Sequence, residues 1–99
     1  MTSQHYTNDR ERREALIQMI GYGEIIKTVE IDRGHRNGPE IHKVSTTGIV
    51  TIYNKRSGVM ITKLIARPNQ IRRYFEGGNA PAELLNIARD HQRLGYNEA

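Results

Sequence analysis

Three places in the chain carry side chains whose type and spacing could do chemistry. The first is the run Asp32-Arg33-Gly34-His35-Arg36. Histidine titrates near neutral pH, and arginines beside it can bind and neutralise phosphate. In metal-independent RNA cleavage a base takes the 2′-hydroxyl proton while cations stabilise the charge developing on phosphorus. His35 is therefore a candidate base, with Arg33 and Arg36 as phosphate partners. The second place is Lys63, which interrupts an otherwise apolar strand pattern. Either its ammonium snorkels to an edge or it stays in the strand to meet an anion, which makes it the second catalytic candidate. Thr51 and Thr62, predicted to be cross-strand neighbours, could add hydroxyl donors.

The third place is Ala66-Arg67-Pro68-Asn69-Gln70-Ile71-Arg72-Arg73-Tyr74-Phe75. It joins three arginines to a strand-to-helix turn and an aromatic pair. A helix N-terminus offers free N–H groups to an anion, and Arg67 directly precedes one. Ile71, Tyr74 and Phe75 read as core contacts, which leaves Arg72 and Arg73 for a ligand.

Each of these places also has an ordinary reading. A polar hairpin loop is the commoner meaning of the first, and threonines are common strand residues in any case. Asp32, His35, Glu40 and His42 lie close together, but their spacing matches no established metal-ligand pattern. His91 falls on a helix's apolar stripe, where a packed histidine is expected. No glycine-rich phosphate loop, paired-carboxylate site or nucleophile motif is present, so neither a metal nor a cofactor is called for.

Charge separates the middle of the chain from its ends. The net charge is +4, yet residues 1–32 sum to −2 and residues 74–99 to −2. Residues 33–73 hold nine basic groups against Glu40 alone, a balance of +8. They are Arg33, Arg36, Lys43, Lys55, Arg56, Lys63, Arg67, Arg72 and Arg73. A solvated sheet face usually mixes both signs, because like charges opposite one another repel. So one-sided a balance points to a polyanionic partner.

Ninety-nine residues suffice for one modest core. With 36% hydrophobic and 26% charged residues the chain is globular in composition. It lacks cysteine and tryptophan, which excludes disulfides, thiolate metal sites and cysteine nucleophiles. No apolar run approaches the roughly 18 residues of a membrane span. The polar start, Met1 to Arg13, is unlike a secretory signal. A cytoplasmic protein with no membrane partner is the expectation.

The elements that must position these groups follow from periodicity. Residues 1–7 are expected to form a flexible tail, and 8–99 a single domain. Asn8 followed by Glu11 resembles a capping box, and Ala15, Leu16, Met19 and Ile20 share one helical face that Gly21 ends. From Glu24 to Asp32 a strand is expected, with Ile25, Val29 and Ile31 on one face. Lys27 interrupts that face, which suggests an edge. Asn37-Gly38 supplies a tight turn before a strand over Glu40–Thr46. Ile49–Asn54 and Val59–Ala66 are predicted to pair with Asn54 opposite Val59. That register puts Val50, Ile52, Val59, Ile61, Lys63 and Ile65 on the better core face. A one-residue slip would exchange the faces. A short helix over Asn69–Glu76 follows, then a last helix capped by Asn79, with Pro81 in its first turn and a stripe of Leu84, Ile87, Ala88, His91 and Leu94. The fold class is α+β: a helix, a four-stranded antiparallel meander and two C-terminal helices.

This order, with scattered His, Arg, Lys, Thr and Tyr on the meander, resembles the barnase/RelE-like superfamily of bacterial ribonuclease toxins over residues 8–76. The resemblance implies metal-independent RNA cleavage, with His35, Arg33, Lys63, Arg67 and Tyr74 as candidates. In size, and in lacking a catalytic motif, the chain is also similar to the small phage and mobile-element proteins that disarm host nucleases, such as anti-CRISPR inhibitors. That resemblance implies a non-catalytic inhibitor of a host nuclease or its guide RNA. The leading expectation is binding of a nucleic-acid backbone, RNA before DNA, with all nine basic residues as contacts. A nucleic-acid-binding protein is the alternative partner. Oligomeric state is not written in the pattern.

Overall fold

A computed structural model describes residues 8–97, so the expected tail over residues 1–7 lies outside the described residues. Helix α1 (Asp9–Ile20) leads into strands β1 (Ile25–Ile31), β2 (Glu40–Ser45), β3 (Ile49–Asn54) and β4 (Met60–Ile65). Helix α2 (Pro68–Arg72), a 3-10 turn (Glu76–Gly78) and helix α3 (Ala82–Arg93) complete the α+β fold. The strands form one antiparallel sheet in the order β1-β2-β3-β4, with β1 and β4 at its free edges. No described helix is long and apolar enough to cross a membrane.

The sheet carries a core on each face. Val44, Val50 and Ile52 face α2 and α3, where they meet Ile71, Leu84 and Ala88. Ile49 and Ile65 face the other way and bury Ile17 of α1. The α1 start is as expected: the Asn8 side chain accepts a hydrogen bond from the Glu11 N–H at 2.9 Å. At its end the Gly21 N–H donates to the Ile17 carbonyl at 2.8 Å with φ of +82°. The buried stripe differs from expectation. Leu16, Ile17 and Ile20 pack, whereas Met19 is 65% exposed.

The register of the β3–β4 hairpin also differs, and the reason is local. At the turn the Asn54 N–H does donate to the Val59 carbonyl, at 2.8 Å. A bulge then inserts Ile61, so that Tyr53 pairs with Met60 but Ile52 pairs with Thr62. Beyond the bulge every β4 side chain changes face. Thr51 opposes Lys63 rather than Thr62, and Leu64 joins Val50 and Ile52 on the α2/α3 side. A second irregularity, between Ile25 and Lys27, sets Lys27 of β1 on that same side. There its ammonium lies 5.6 Å from the Phe75 ring centre.

Helix α2 is one turn long, shorter than expected, because Tyr74 and Phe75 leave the helix to cover the sheet. Asn79 does not cap α3. Its N–H closes the 3-10 turn onto the Glu76 carbonyl at 3.1 Å, and α3 begins only after Pro81. His91 is packed as expected, with Nε2 donating to the Thr47 carbonyl at 2.9 Å.

Candidate functional site

Glu40 and His42 lie two apart on β2 and therefore share the face of the sheet that α2 covers. His42 is 1% exposed and opposes Val29 on one side and Ile52 on the other. Its Nε2 lies 2.9 Å from Glu40 Oε1, and its Nδ1 lies 2.6 Å from the Tyr74 hydroxyl. A carboxylate only accepts, so Nε2 carries the proton. In the neutral ring Nδ1 is then bare, and the Tyr74 O–H donates to it. Arg33 Nε approaches Glu40 Oε1 at 3.9 Å and completes a chain from solvent to core.

Arg33 is the exposed end of this relay and Tyr74 a half-buried one, packed against the core under α2. Burial, the largest cause, raises the Tyr74 pKa above the ordinary 10.0. The Arg33 and Arg73 guanidiniums pull it down and the Glu40 carboxylate pushes it up. Both arginines, from separate elements, therefore act on the one hydroxyl. They line a cavity of 190 Å³ whose walls include His42, Gln70 and Tyr74.

That cavity is one of three around α2 that have Gln70 as a common wall residue. Gln70 and Arg73 also wall a second, of 370 Å³, together with Arg67 and Gln92. Arg67 and Gln70 wall a third, of 180 Å³, which reaches Arg13 of α1 and Asn97. The result is a branched groove centred on Gln70, with Arg33, Arg73, Arg67 and Arg13 in its walls. Gln70 Oε1 accepts the Arg67 N–H at 2.7 Å. Its NH₂ group has no hydrogen-bond partner among the described residues, and the residue lines all three cavities. The Arg67–Gln70 bond takes the N-cap N–H and Pro68 has none, so α2 offers only the Asn69 and Gln70 N–H groups as free backbone donors at its start.

The sequence-predicted residues divide among three places. Arg33, Arg67 and Arg73 enter the groove; Arg72 is held beside it by Asn69 at 3.1 Å. His35, Arg36, Lys55 and Arg56 sit in the two turns at one end of the sheet. There the Arg56 guanidinium donates to the Arg36 carbonyl at 3.1 Å, and Lys55 pairs with Glu30 at 2.7 Å. Lys43 and Lys63 flank Thr51 in one cross-strand row on the opposite face, over Tyr53 and Tyr22 respectively. Lys63 lines a separate cavity with Arg10, Arg13 and Glu14, and neither it nor His35 is in the walls of the three around α2. His42 and Gln70 were missed as groove residues. The alternation Glu40-x-His42-x-Val44, which sets two polar residues on a core face, was the available signal.

The basic charge is largely unspent. Among the described residues only Arg33 and Lys55 of the nine central cations form an ion pair with a carboxylate. No three described His, Asp or Glu side chains converge as metal ligands. Comparison with protein-family models, with curated proteins and with solved structures finds no match to this chain.

Proposed function

We propose that this protein binds the phosphate backbone of single-stranded nucleic acid, RNA in preference to DNA, along the groove around α2. The observation that carries the reading is the placement of Arg13, Arg67, Arg73 and Arg33 along three joined cavities, of which only Arg33 has a carboxylate partner among the described residues. Arginine presents a planar fork of donors suited to phosphate oxygens. Clefts of 180–370 Å³ between α2 and its neighbours, β4 in two of them and α3 in the third, suit a strand better than a duplex. Ribose adds a hydroxyl that can bond to the polar floor at Tyr74 and Gln70, which favours RNA.

Binding is favoured over turnover. A ribonuclease needs a base within reach of the 2′-hydroxyl. His42 is enclosed behind Tyr74, and the Tyr74 hydroxyl holds its proton tightly for the reasons given above. The toxin resemblance is then one of substrate class alone; the Tyr74 O–H is spent on His42 Nδ1, and its oxygen can only accept, for example from a ribose hydroxyl.

The neighbours Arg72 and Arg73 give the test. Labelled single-stranded RNA is titrated with protein in EDTA and checked afterwards for cleavage. Arg73→Ala is expected to weaken binding to unrelated sequences alike, about tenfold for a charged hydrogen bond of about 1.5 kcal/mol. Arg72→Ala, whose guanidinium is engaged by Asn69, is expected to change it little. Equal effects of the two variants would remove the groove from the site.

A second reading rests on a separate feature. The free edge at β4 exposes Val59 (63%), Met60 and Ile61 (51%), an apolar strand edge suited to pairing with another protein. This is the surface an inhibitor of a nuclease would use. Ile61→Glu is expected to abolish such a complex and leave RNA binding intact.

A further inference from the structure

The sheet has two faces, and the groove lies on only one of them. On the other, α1 covers the end that carries Ile49 and Ile65, where Ile17 is buried. The cross-strand row Ile41–Tyr53–Met60 occupies the remaining half of that face. This half is open. Met60 is 44% exposed, Tyr53 is half-buried, and an open hollow of 300 Å³ has Ile41, Lys43, Tyr53 and Lys55 in its walls.

The neighbouring row runs Lys43–Thr51–Lys63. Each of its lysines sits over an aromatic ring instead of beside a carboxylate. Lys43 Nζ lies 5.2 Å from the Tyr53 ring centre, and Lys63 Nζ lies 5.6 Å from that of Tyr22, which is 38% exposed. Neither lysine forms an ion pair among the described residues. Glu30 opposes Ile41 on this face, and its carboxylate is taken by Lys55 at 2.7 Å. A lysine over an exposed ring is a weak contact, and its flexible stem lets it move aside. Both ring faces can therefore be reached by a flat ligand.

This surface combines an apolar, aromatic floor with ammonium groups that have no internal counter-charge. A free phosphate has no use for the floor. A second copy of this chain laid on the face would set lysines against lysines. A single strand of nucleic acid matches both properties, because its bases are flat π-systems and its backbone is anionic.

We propose that the open half of this sheet face is a stacking platform for nucleobases, with Tyr53 and Tyr22 as its rings and Lys43 and Lys63 beside them. This rests on the single-strand reading above and adds a second surface to it: phosphates are held around α2, and bases of another segment stack on the opposite side of the sheet. Stacking is tolerant of sequence, because every base has a π-face.

The test compares two labelled RNAs of equal length and equal phosphate number, an oligoadenylate and an oligomer that lacks its bases, by fluorescence anisotropy. The oligoadenylate is expected to bind the wild type about tenfold tighter, the effect of one stacked base. Tyr22→Leu/Tyr53→Leu keeps two apolar side chains without their rings. It is expected to bring the oligoadenylate down to the affinity of the abasic oligomer and to leave the abasic oligomer unchanged, which also shows the variant to be folded. Its salt dependence should match the wild type, because a stacked base releases no counterions. Tyr22→Phe/Tyr53→Phe retains both rings and is expected to bind oligoadenylate as the wild type does. If the wild type binds both oligomers equally, or if the leucine variant keeps its preference for bases, the platform is refuted while the groove stands. If neither oligomer binds, the backbone-binding reading itself has failed, and the platform with it.

Discussion

Replacing Tyr74 with Phe removes one hydroxyl and leaves a ring nitrogen that water cannot reach. The hydroxyl lies 2.6 Å from His42 Nδ1, and the His42 side chain is 1% exposed. Were the nitrogen hydrated in the variant, the loss would be that of an ordinary hydrogen bond, about 1 kcal/mol. Because it is enclosed, most of its desolvation cost is added, and about 2 kcal/mol is expected. For a domain of this size that is a fall in Tm of about 8–16 °C. Urea denaturation followed by circular dichroism should show a lower midpoint with an unchanged slope. The double variant His42→Leu/Tyr74→Phe gives the sharper sign. It removes both partners, and Glu40 keeps Arg33 beside it at 3.9 Å and partial access to water. It is therefore expected to be more stable than Tyr74→Phe alone. A single variant within about 0.5 kcal/mol of wild type, or a double variant that loses the sum of two large effects, would refute the relay.

The same tyrosine gives a pH dependence. Its folded pKa is raised above the ordinary 10.0, so the unfolded chain releases this proton first as pH rises. Stability present below about pH 10 should decline above it, and that component should be missing in Tyr74→Phe when the two are denatured side by side at about pH 9 and about pH 11. At Gly38, φ is +88° and an added Cβ would meet Arg56 Nε at 2.7 Å. Gly38→Ala should cost about 1 kcal/mol or more, read as a lower denaturation midpoint. Ile71 is fully buried and fastens α2 to the sheet. Ile71→Ala should cost about 2–5 kcal/mol and weaken RNA binding together with stability, because it loosens the helix that walls the groove.

Much of the fold was legible because its signals are local. Asn8 capping α1, Gly21 ending it and Asn54 meeting Val59 across a turn all depend on residues within a few positions of one another. The bulge at Ile61 was not legible, since nothing in Met60-Ile61-Thr62 marks an extra residue; only the need to bury Leu64 with Val50 and Ile52 selects it. The charge pattern placed Arg33, Arg67 and Arg73 among the candidates but could not separate them from Lys55, which Glu30 neutralises, or from Lys43 and Lys63 on the other face. The relay and the cavity beside α1 were out of reach for the same physical reason. His42 and Tyr74 are 32 residues apart, and Arg13 and Asn97 line one cavity from opposite ends of the chain, where the Arg12 guanidinium ties α1 to Gly95. Such pairings come from packing, and no period in the sequence records them.

The salt dependence of RNA binding tests the central claim most directly. Each phosphate neutralised on a single strand contributes about −0.7 to the slope of log K against log salt. If the four groove arginines each meet one phosphate, the slope is about −2.8, and raising salt from about 50 to about 200 mM weakens binding about 50-fold. Arg67→Ala/Arg73→Ala should lower the slope to about −1.4 and the loss to about sevenfold, with the fold intact by circular dichroism. A double variant that keeps the wild-type slope would contradict the account, since the phosphates would then be held by some other face of the protein.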